Sequence, residues 1–531
     1  MIRARRWRRT AAETLGAEPA AELSALVQSA SEAVAGGWQA LDRLVDHLVG
    51  FDRMGDTELA GEALAQLQAM PRVVARLDEH ARRVLWWSDF YAPLINEAAK
   101  RVRDNIAGPI AIALASTHGD GHVREAAVAR MLAVPDPGWM PFLVLRTSDW
   151  VKPVRDRARA GLALLLADDP RTHLPAVLGM TLLARARLRG GFAYTQALAA
   201  LVNAPQSLRD ELLANGDTAQ RRFVFDLGLG LGWWSPKTLF AIAVTEPDRR
   251  TQAQAAEVVC RTAVWTQQTN TVRRLARHPK PQVRSVALTG LVRLGYDTEV
   301  AGYLDDAAAL IRAIARDAAR RTGVDVRDHY RAAVTASDPP LGAIAGLAET
   351  GSAADARLLR DLLAHPAGKV RAQTLRALRQ LQAVPVEQSI ALLHDPSPAV
   401  IREATAALRP LTRAVSDQVA WDLLADPRRV ELRRAGYRLL RVRGLPQQLR
   451  AALLLANDSD ARLARRAIAD ATRLARDAAS PSWRRLTLPA LDASPDQIVE
   501  LADLTDRAAE VLGEDTTRML HAWLVKTREQ L

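Results

Sequence analysis

The sequence predicts an all-α chain, an α-solenoid of stacked helix–turn–helix repeats, and three observations carry that expectation. The first is a local grammar of helix end, polar turn and new helix, set out most clearly from Leu392 to Leu408 and returning along much of the chain. The second is its period. Val370-Arg371, Ile401-Arg402 and Leu432-Arg433 follow one another at 31-residue intervals, each just after a turn (His365-Pro366, Asp395-Pro396, Asp426-Pro427). The third is length: 531 residues with no Ser/Gly/Pro-rich linker or low-complexity run, too long for one compact core. A period between about 20 and 50 residues built from helix pairs is the signature of a solenoid, in which each unit buries its apolar face against its neighbours.

Within the reference stretch, Leu392 and Leu393 close an apolar stripe and His394-Asp395-Pro396 breaks it. Ser397-Pro398 then supplies an N-cap and a proline at the first helical position, where its missing N–H costs nothing. Ile401, Ala404, Ala407 and Leu408 fall on one helical face, with Arg402, Glu403 and Arg409 away from it. Earlier copies are Val123-Arg124, Val154-Arg155, Val283-Arg284 and Ile311-Arg312, and Ala461-Arg462 is a weaker last one. Length over period gives about seventeen units, of which these are the clear ones.

At these residues the sequence resembles the short HEAT-like repeat family, the roughly 30-residue type of the phycobilisome lyase relatives. The resemblance covers 114–167, 275–323 and 362–475. It implies that the turn Asp and the helix Arg hydrogen-bond along the stack, so that the recurring arginines are structural. The expected division is an irregular helical N-terminal capping region over 1–105, a HEAT-like repeat solenoid over 106–475, and a C-terminal helical cap over 476–531.

One cysteine, Cys260, leaves no internal disulfide, and the longest apolar runs fall short of a membrane span. A soluble, cytoplasmic protein is expected. The basic start from Met1 to Arg9 lacks the apolar segment an export signal needs and reads as an exposed arm. The formal net charge is +12 and the pI about 10.4, carried by arginine, with abundant alanine and leucine. That composition resembles the codon bias of a GC-rich bacterium, so the position of the charge is more informative than its total.

Along the chain, Leu41, Leu44, Val45, Leu48 and Val49 form one stripe of the capping region, and Val73, Val74 and Leu77 another. Trp86-Trp87-Ser88-Asp89-Phe90-Tyr91 is an aromatic cluster suited either to binding or to docking a terminal unit. His118, Asp120 and His122 are ligand types zinc accepts, but they occupy a repeat turn where Gly-Asp-Gly is ordinary turn chemistry and no fourth ligand is in reach. No metal is expected. Gly228, Gly230 and Gly232 lack the spacing, strand and acid of a dinucleotide loop and read better as close-approach glycines. The doublet Trp233-Trp234 that follows is expected to line an inner groove. Ser337-Asp338-Pro339-Pro340 reads as a turn with a capped helix after it.

The charge is polarised. Arg428 to Arg485 holds fifteen arginines against five acids, while 486–531 holds nine acids and four bases, an acidic counterweight. At 100° per residue, Arg462, Arg465, Arg466, Arg473 and Arg476 share about a third of a helix circumference. Arg434, Arg438 and Arg441 lie on one face of the preceding helix. These eight arginines, with Trp86, Trp87, Trp233 and Trp234, are the candidate partner-binding residues.

No catalytic constellation is present: no P-loop, nucleophile elbow, Cys-x-x-Cys or His-Glu-x-x-His. Deoxyhypusine hydroxylases are built from similar repeats but hold iron through His-Glu dipeptides, and none of the ten histidines precedes a glutamate. No bilin pocket is marked. Alkylpurine DNA glycosylases of HEAT-like repeats use aromatics and an aspartate, a role in which Asp149 beside Trp150, or Asp89 beside Trp86-Trp87, is conceivable. The function expected is a non-enzymatic scaffold without cofactor or small-molecule substrate, binding another macromolecule, foremost a protein, through an extended concave surface. Nucleic-acid binding along the basic C-terminal repeats is the alternative, and a glycosylase the third reading.

Overall fold

The computed structural model describes residues 19–35, 38–83, 91–479 and 491–529, and every regular element among them is an α- or 3-10 helix. Two compact units divide the chain, Met1–Thr238 and Leu239–Leu531. Within each, most consecutive helices pack in pairs, and most second helices lie beside the second helix of the next pair.

In the first unit the repeat is carried by α1 (Gly121–Ala133), α2 (Met140–Arg146) and α3 (Lys152–Asp168), and is followed later by α4 (Thr218–Gly230). Leu41, Leu44, Val45 and Leu48 are buried as their spacing predicts, as are Val73, Val74 and Leu77; Val49 is half-buried. Helix starts follow capping chemistry. Asp120 accepts the His122 N–H at the head of α1, and Asp217 forms a capping box with Gln220 at the head of α4.

In the second unit the second helices are α5 (Pro281–Arg293), α6 (Ala309–Arg321), Leu341–Thr350, α7 (Gly368–Gln380), α8 (Pro398–Leu408), α10 (Val430–Leu440) and α12 (Ala461–Ala479). Between them run first helices such as α9 (Asp417–Leu424) and α11 (Leu445–Leu455), and α13 (Pro495–Arg507) and α14 (Glu514–Arg528) follow. One continuous core runs from Leu304 to Leu524. Ala404 and Leu408 of the reference stretch are fully buried in it. Ser337 to Pro340 is the turn before Leu341–Thr350. No described helix is long and apolar enough to cross a membrane.

Candidate interaction surface

The turns are tied together by a repeated rung whose register is set by the N-cap. In α7, Arg371 is the fourth residue after the cap residue Ala367. Its Nη1 donates to the carbonyls of His365 and Pro366 at 2.7 and 2.9 Å, closing its own turn, while Nε and Nη2 grip both oxygens of Asp395 at 2.8 Å. Asp395 in turn accepts the Ser397 N–H at 2.7 Å. One guanidinium therefore fixes two successive turns, with the bidentate fork that arginine alone provides.

The same bidentate rung joins Arg124 to Asp149 and Arg433 to Asp458, and Arg284 reaches one oxygen of Asp306 through Nη2 alone. Arg312 binds its turn carbonyls alike but pairs with Glu349. In these pairs the turn Asp and helix Arg bond along the stack, as the resemblance implied.

Ile401-Arg402 departs from the pattern. Ser397 is at the N-cap of α8, so the fourth residue is Ile401, and Arg402 falls one position later, exposed to solvent. The rung is missing there, and Arg429 of the next turn reaches back to the carbonyls of His394 and Asp395 instead. Ala461-Arg462 is out of register too, since the corresponding residue of α12, four beyond Asp460, is Ala464. The Ser397 hydroxyl makes no cap bond; the Asp395 carboxylate serves that turn.

Three turns carry histidine where others carry aspartate. Nδ1 of His118, His278 and His365 accepts the N–H two residues on, at 2.9, 3.1 and 3.1 Å. Nε2 of His278 and His365 donates to Val244 and Ser337 carbonyls of earlier turns, while Nε2 of His118 faces Asn96. Each imidazole thus holds its own turn through Nδ1. His118 is thereby engaged in its turn, and Asp120 caps α1.

Burial lowers the His118 pKa below the usual histidine range. Burial alone would raise the carboxyl pKa of Asp149, but the Arg124 hydrogen bond and the Arg146 charge hold it below the ordinary value. Both depressed values act in one direction: stability is full above the unfolded pKa and is lost as pH falls through the folded one. Protection of amides 118–124 is therefore expected to weaken first below about pH 6.5 and again below about pH 4. Exchange protection that stays flat between pH 7 and pH 5 would contradict the histidine bridge.

On the surface outside the rungs, α7, α8, α10 and α12 of the second unit present arginine in quantity. Arg376 and Arg379 of α7 lean on Glu403 of α8, at 2.7 and 3.8 Å. Arg434 of α10 grips Asp460 at 2.9 Å, and Arg441 reaches the buried Asp470 of α12 at 2.8 Å, where the Tyr437 hydroxyl also donates. Arg438 is exposed. Arg462, Arg465, Arg466, Arg473 and Arg476 are all exposed along α12, opposite the buried Leu463, Ala467, Ala471, Leu474 and Ala475. Arg466 and Arg473 pair along the helix with Asp470 and Asp477. The Arg434 and Arg441 pairs link α10 to α12, Glu403 ties α7 to α8, and α8 packs on α10. In the acidic segment Glu500 of α13 pairs with Arg450 of α11, and α14 packs on α12.

The tryptophans fall differently. Trp86 and Trp87, with Asp89, lie outside the described residues. Trp234 is core, not groove: it is 7% exposed, its Nε1 donates to Phe225 O, and its indole fills the space beside Gly228, where a Cβ would stand 2.5 Å from the ring. Trp233 is half-buried under the Arg209 guanidinium, 4.1 Å from the ring centroid. Asp149 does not fit a glycosylase role. Its side chain is fully buried, and Arg124, Arg146 and the Val151 N–H occupy both oxygens.

Stacked helix pairs tied by an arginine–carboxylate rung define a HEAT-like α-helical repeat protein. No family model and no curated protein matches the sequence. Solved structures similar to it include Kap121p bound to Pho4p, at 13% identity and TM-score 0.33, covering 96% of this chain and 69% of that one. Kap121p bound to Nup53p matches at 14% and 0.33, over 96% and 66%. Importin beta in an ammonium sulfate condition matches at 14% and 0.25, over 95% and 67%. Likeness at this level adds nothing to the kind of fold the helix pairs already define.

Proposed function

We propose that this chain is a non-enzymatic repeat scaffold whose second unit docks an acidic segment of a partner protein on the basic face of α7, α8, α10 and α12. The observation that carries the reading is the excess of positive charge on that face: twelve arginines from four successive second helices and their C-caps, against the five carboxylates Glu403, Glu431, Asp460, Asp470 and Asp477. Two further features favour a protein over a nucleic acid. The sole aromatic in these helices, Tyr437, is buried, so no exposed ring offers a base a stacking platform. The interspersed carboxylates suit a chain of intermittent charge better than an unbroken row of phosphates.

Anisotropy titrations with a glutamate-rich peptide and with single-stranded DNA, over a range of salt, test the proposal. Changing Arg462, Arg466 and Arg473 to glutamine is expected to leave stability within about 0.5 kcal/mol, since all three are exposed. Peptide affinity is expected to fall at least about fivefold, because each lost charge removes part of the attraction. Unchanged affinity in this variant would reduce the stripe to a solvated surface. Tighter DNA binding, with a steep salt slope, would replace the protein partner with a nucleic acid.

A further inference from the structure

The arginines of the basic face are not equally neutralised, and the difference is local. Arg376, Arg434 and Arg441 each close on a carboxylate at 2.9 Å or less. Arg402, displaced from the rung by Ile401, touches only the adjacent Glu403, at 3.6 Å, and that oxygen already holds Arg376 at 2.7 Å. Arg409 stands seven residues further on. Its backbone is still helical (φ −54°, ψ −39°), which keeps it on the Arg402 side of α8. Arg438 projects from α10, which packs directly on α8. Among the described residues neither Arg409 nor Arg438 makes an ion pair.

Crowding by its surroundings, and then the charges of Arg434, Arg402, Arg409 and Arg441, hold Arg438 below the usual arginine range. Like charges gathered without a counter-ion lower the stability of a fold. The neighbouring pairs show that this face supplies carboxylates where it needs them. A single carboxylate would neutralise only one of Arg409 and Arg438, whereas a phosphate monoester carries close to two charges and three acceptor oxygens, enough to engage both and the weakly held Arg402.

Resting on the reading of this face as a docking surface, we propose that Arg402, Arg409 and Arg438 form a socket for a phosphorylated residue within the acidic segment of the partner protein. The step from an acidic to a phosphorylated segment follows from two guanidiniums without an ion pair beside a third that shares its one carboxylate oxygen with Arg376.

The test is anisotropy with three labelled peptides: a Glu/Ser peptide carrying one phosphoserine, its unphosphorylated form, and a form with two added glutamates to match the charge. The phosphopeptide is expected to bind about tenfold more tightly than either of the others, as two or three charge-assisted hydrogen bonds allow. In R438Q, and in the double variant R402Q/R409Q, that preference is expected to fall below about twofold, while the unphosphorylated peptide weakens only by the few-fold that one or two charges lost from the docking face bring. These side chains are exposed, and an unchanged melting curve verifies that the variants fold. Equal binding of the charge-matched peptide and the phosphopeptide, or a preference that survives R438Q, overturns the socket while leaving the docking surface intact. If none of the peptides binds, or single-stranded DNA of equal charge displaces them all, the docking reading falls as well.

Discussion

Replacing Arg371 with alanine is expected to cost about 3 kcal/mol or more, whereas Arg402→Ala, 31 residues later at the same place in the sequence pattern, is expected to cost less than about 0.5 kcal/mol. Arg371 and Asp395 are buried, with side chains 11% and 4% exposed, and the pair is bidentate. Removing the guanidinium leaves the Asp395 charge in a site where the Ser397 N–H is its remaining hydrogen-bond donor. It also strips the His365 and Pro366 carbonyls of their donor. A buried charge without its partner costs far more than the pair contributes when intact. Arg402 has no such dependants. Hydrogen exchange across residues 391–401, read with urea unfolding, separates the two variants. Equal losses would mean that the rung register does not matter.

Gly346→Ala is expected to destabilise the second unit by about 3 kcal/mol through overpacking. A Cβ at this position would sit 2.2 Å from Cζ of the Tyr330 ring. Tyr330 has nowhere to retreat. It is fully buried, its hydroxyl donates to the Leu304 carbonyl at 3.0 Å, and Ala343, Ile344 and Leu347 are fully buried in the same core. Adding Tyr330→Ala to Gly346→Ala is expected to cost less than the sum of the two single changes, because the clash and the cavity relieve each other. Strictly additive losses in denaturant titrations would show that the glycine serves some purpose other than admitting the ring.

The period, the helix pairs and the exposed stripe of α12 were legible because they rest on spacing alone, and spacing survives in a sequence. The rung register was not, because it counts from the helix cap and the turns differ in length. Asp426 lies three residues before its cap, Arg429, whereas Asp395 lies two before Ser397. Arg402 and Arg433 are thus equidistant from their turn aspartates yet fall at different helical positions. Pro398 held the signal: a proline at the first helical position places the cap at Ser397 and so the rung at Ile401. The histidine bridges left no such mark. A turn histidine looks the same in sequence whether its Nδ1 accepts a backbone N–H or faces solvent, and His118 beside Asp120 and His122 drew attention as a metal ligand for that reason. Trp234 was misplaced for a related cause, since Gly228, six residues earlier, forms its seat only after the chain has turned at Gly232, where φ is +72°.

The rungs also decide which pieces of this chain can be exchanged for one another. An aspartate at the head of a turn can take an arginine sent from the unit before, as with Arg284 and Asp306 or Arg371 and Asp395. The turns headed by His278 and His365 follow second helices that carry Gln252 and Ile344 at the rung position. The joints differ in kind, like plugs with different pins, and Ile401 leaves the Asp426 turn without one. Deleting the 31 residues between corresponding points of the Asp395 and Asp426 turns would hand Arg371 a new aspartate and leave a working joint. A cut that brought Arg371 up against a histidine-headed turn would strand a guanidinium inside the stack. Growth or shortening of such a chain by copying whole units is therefore restricted to cuts that match like ends, a rule enforced by one side chain per joint.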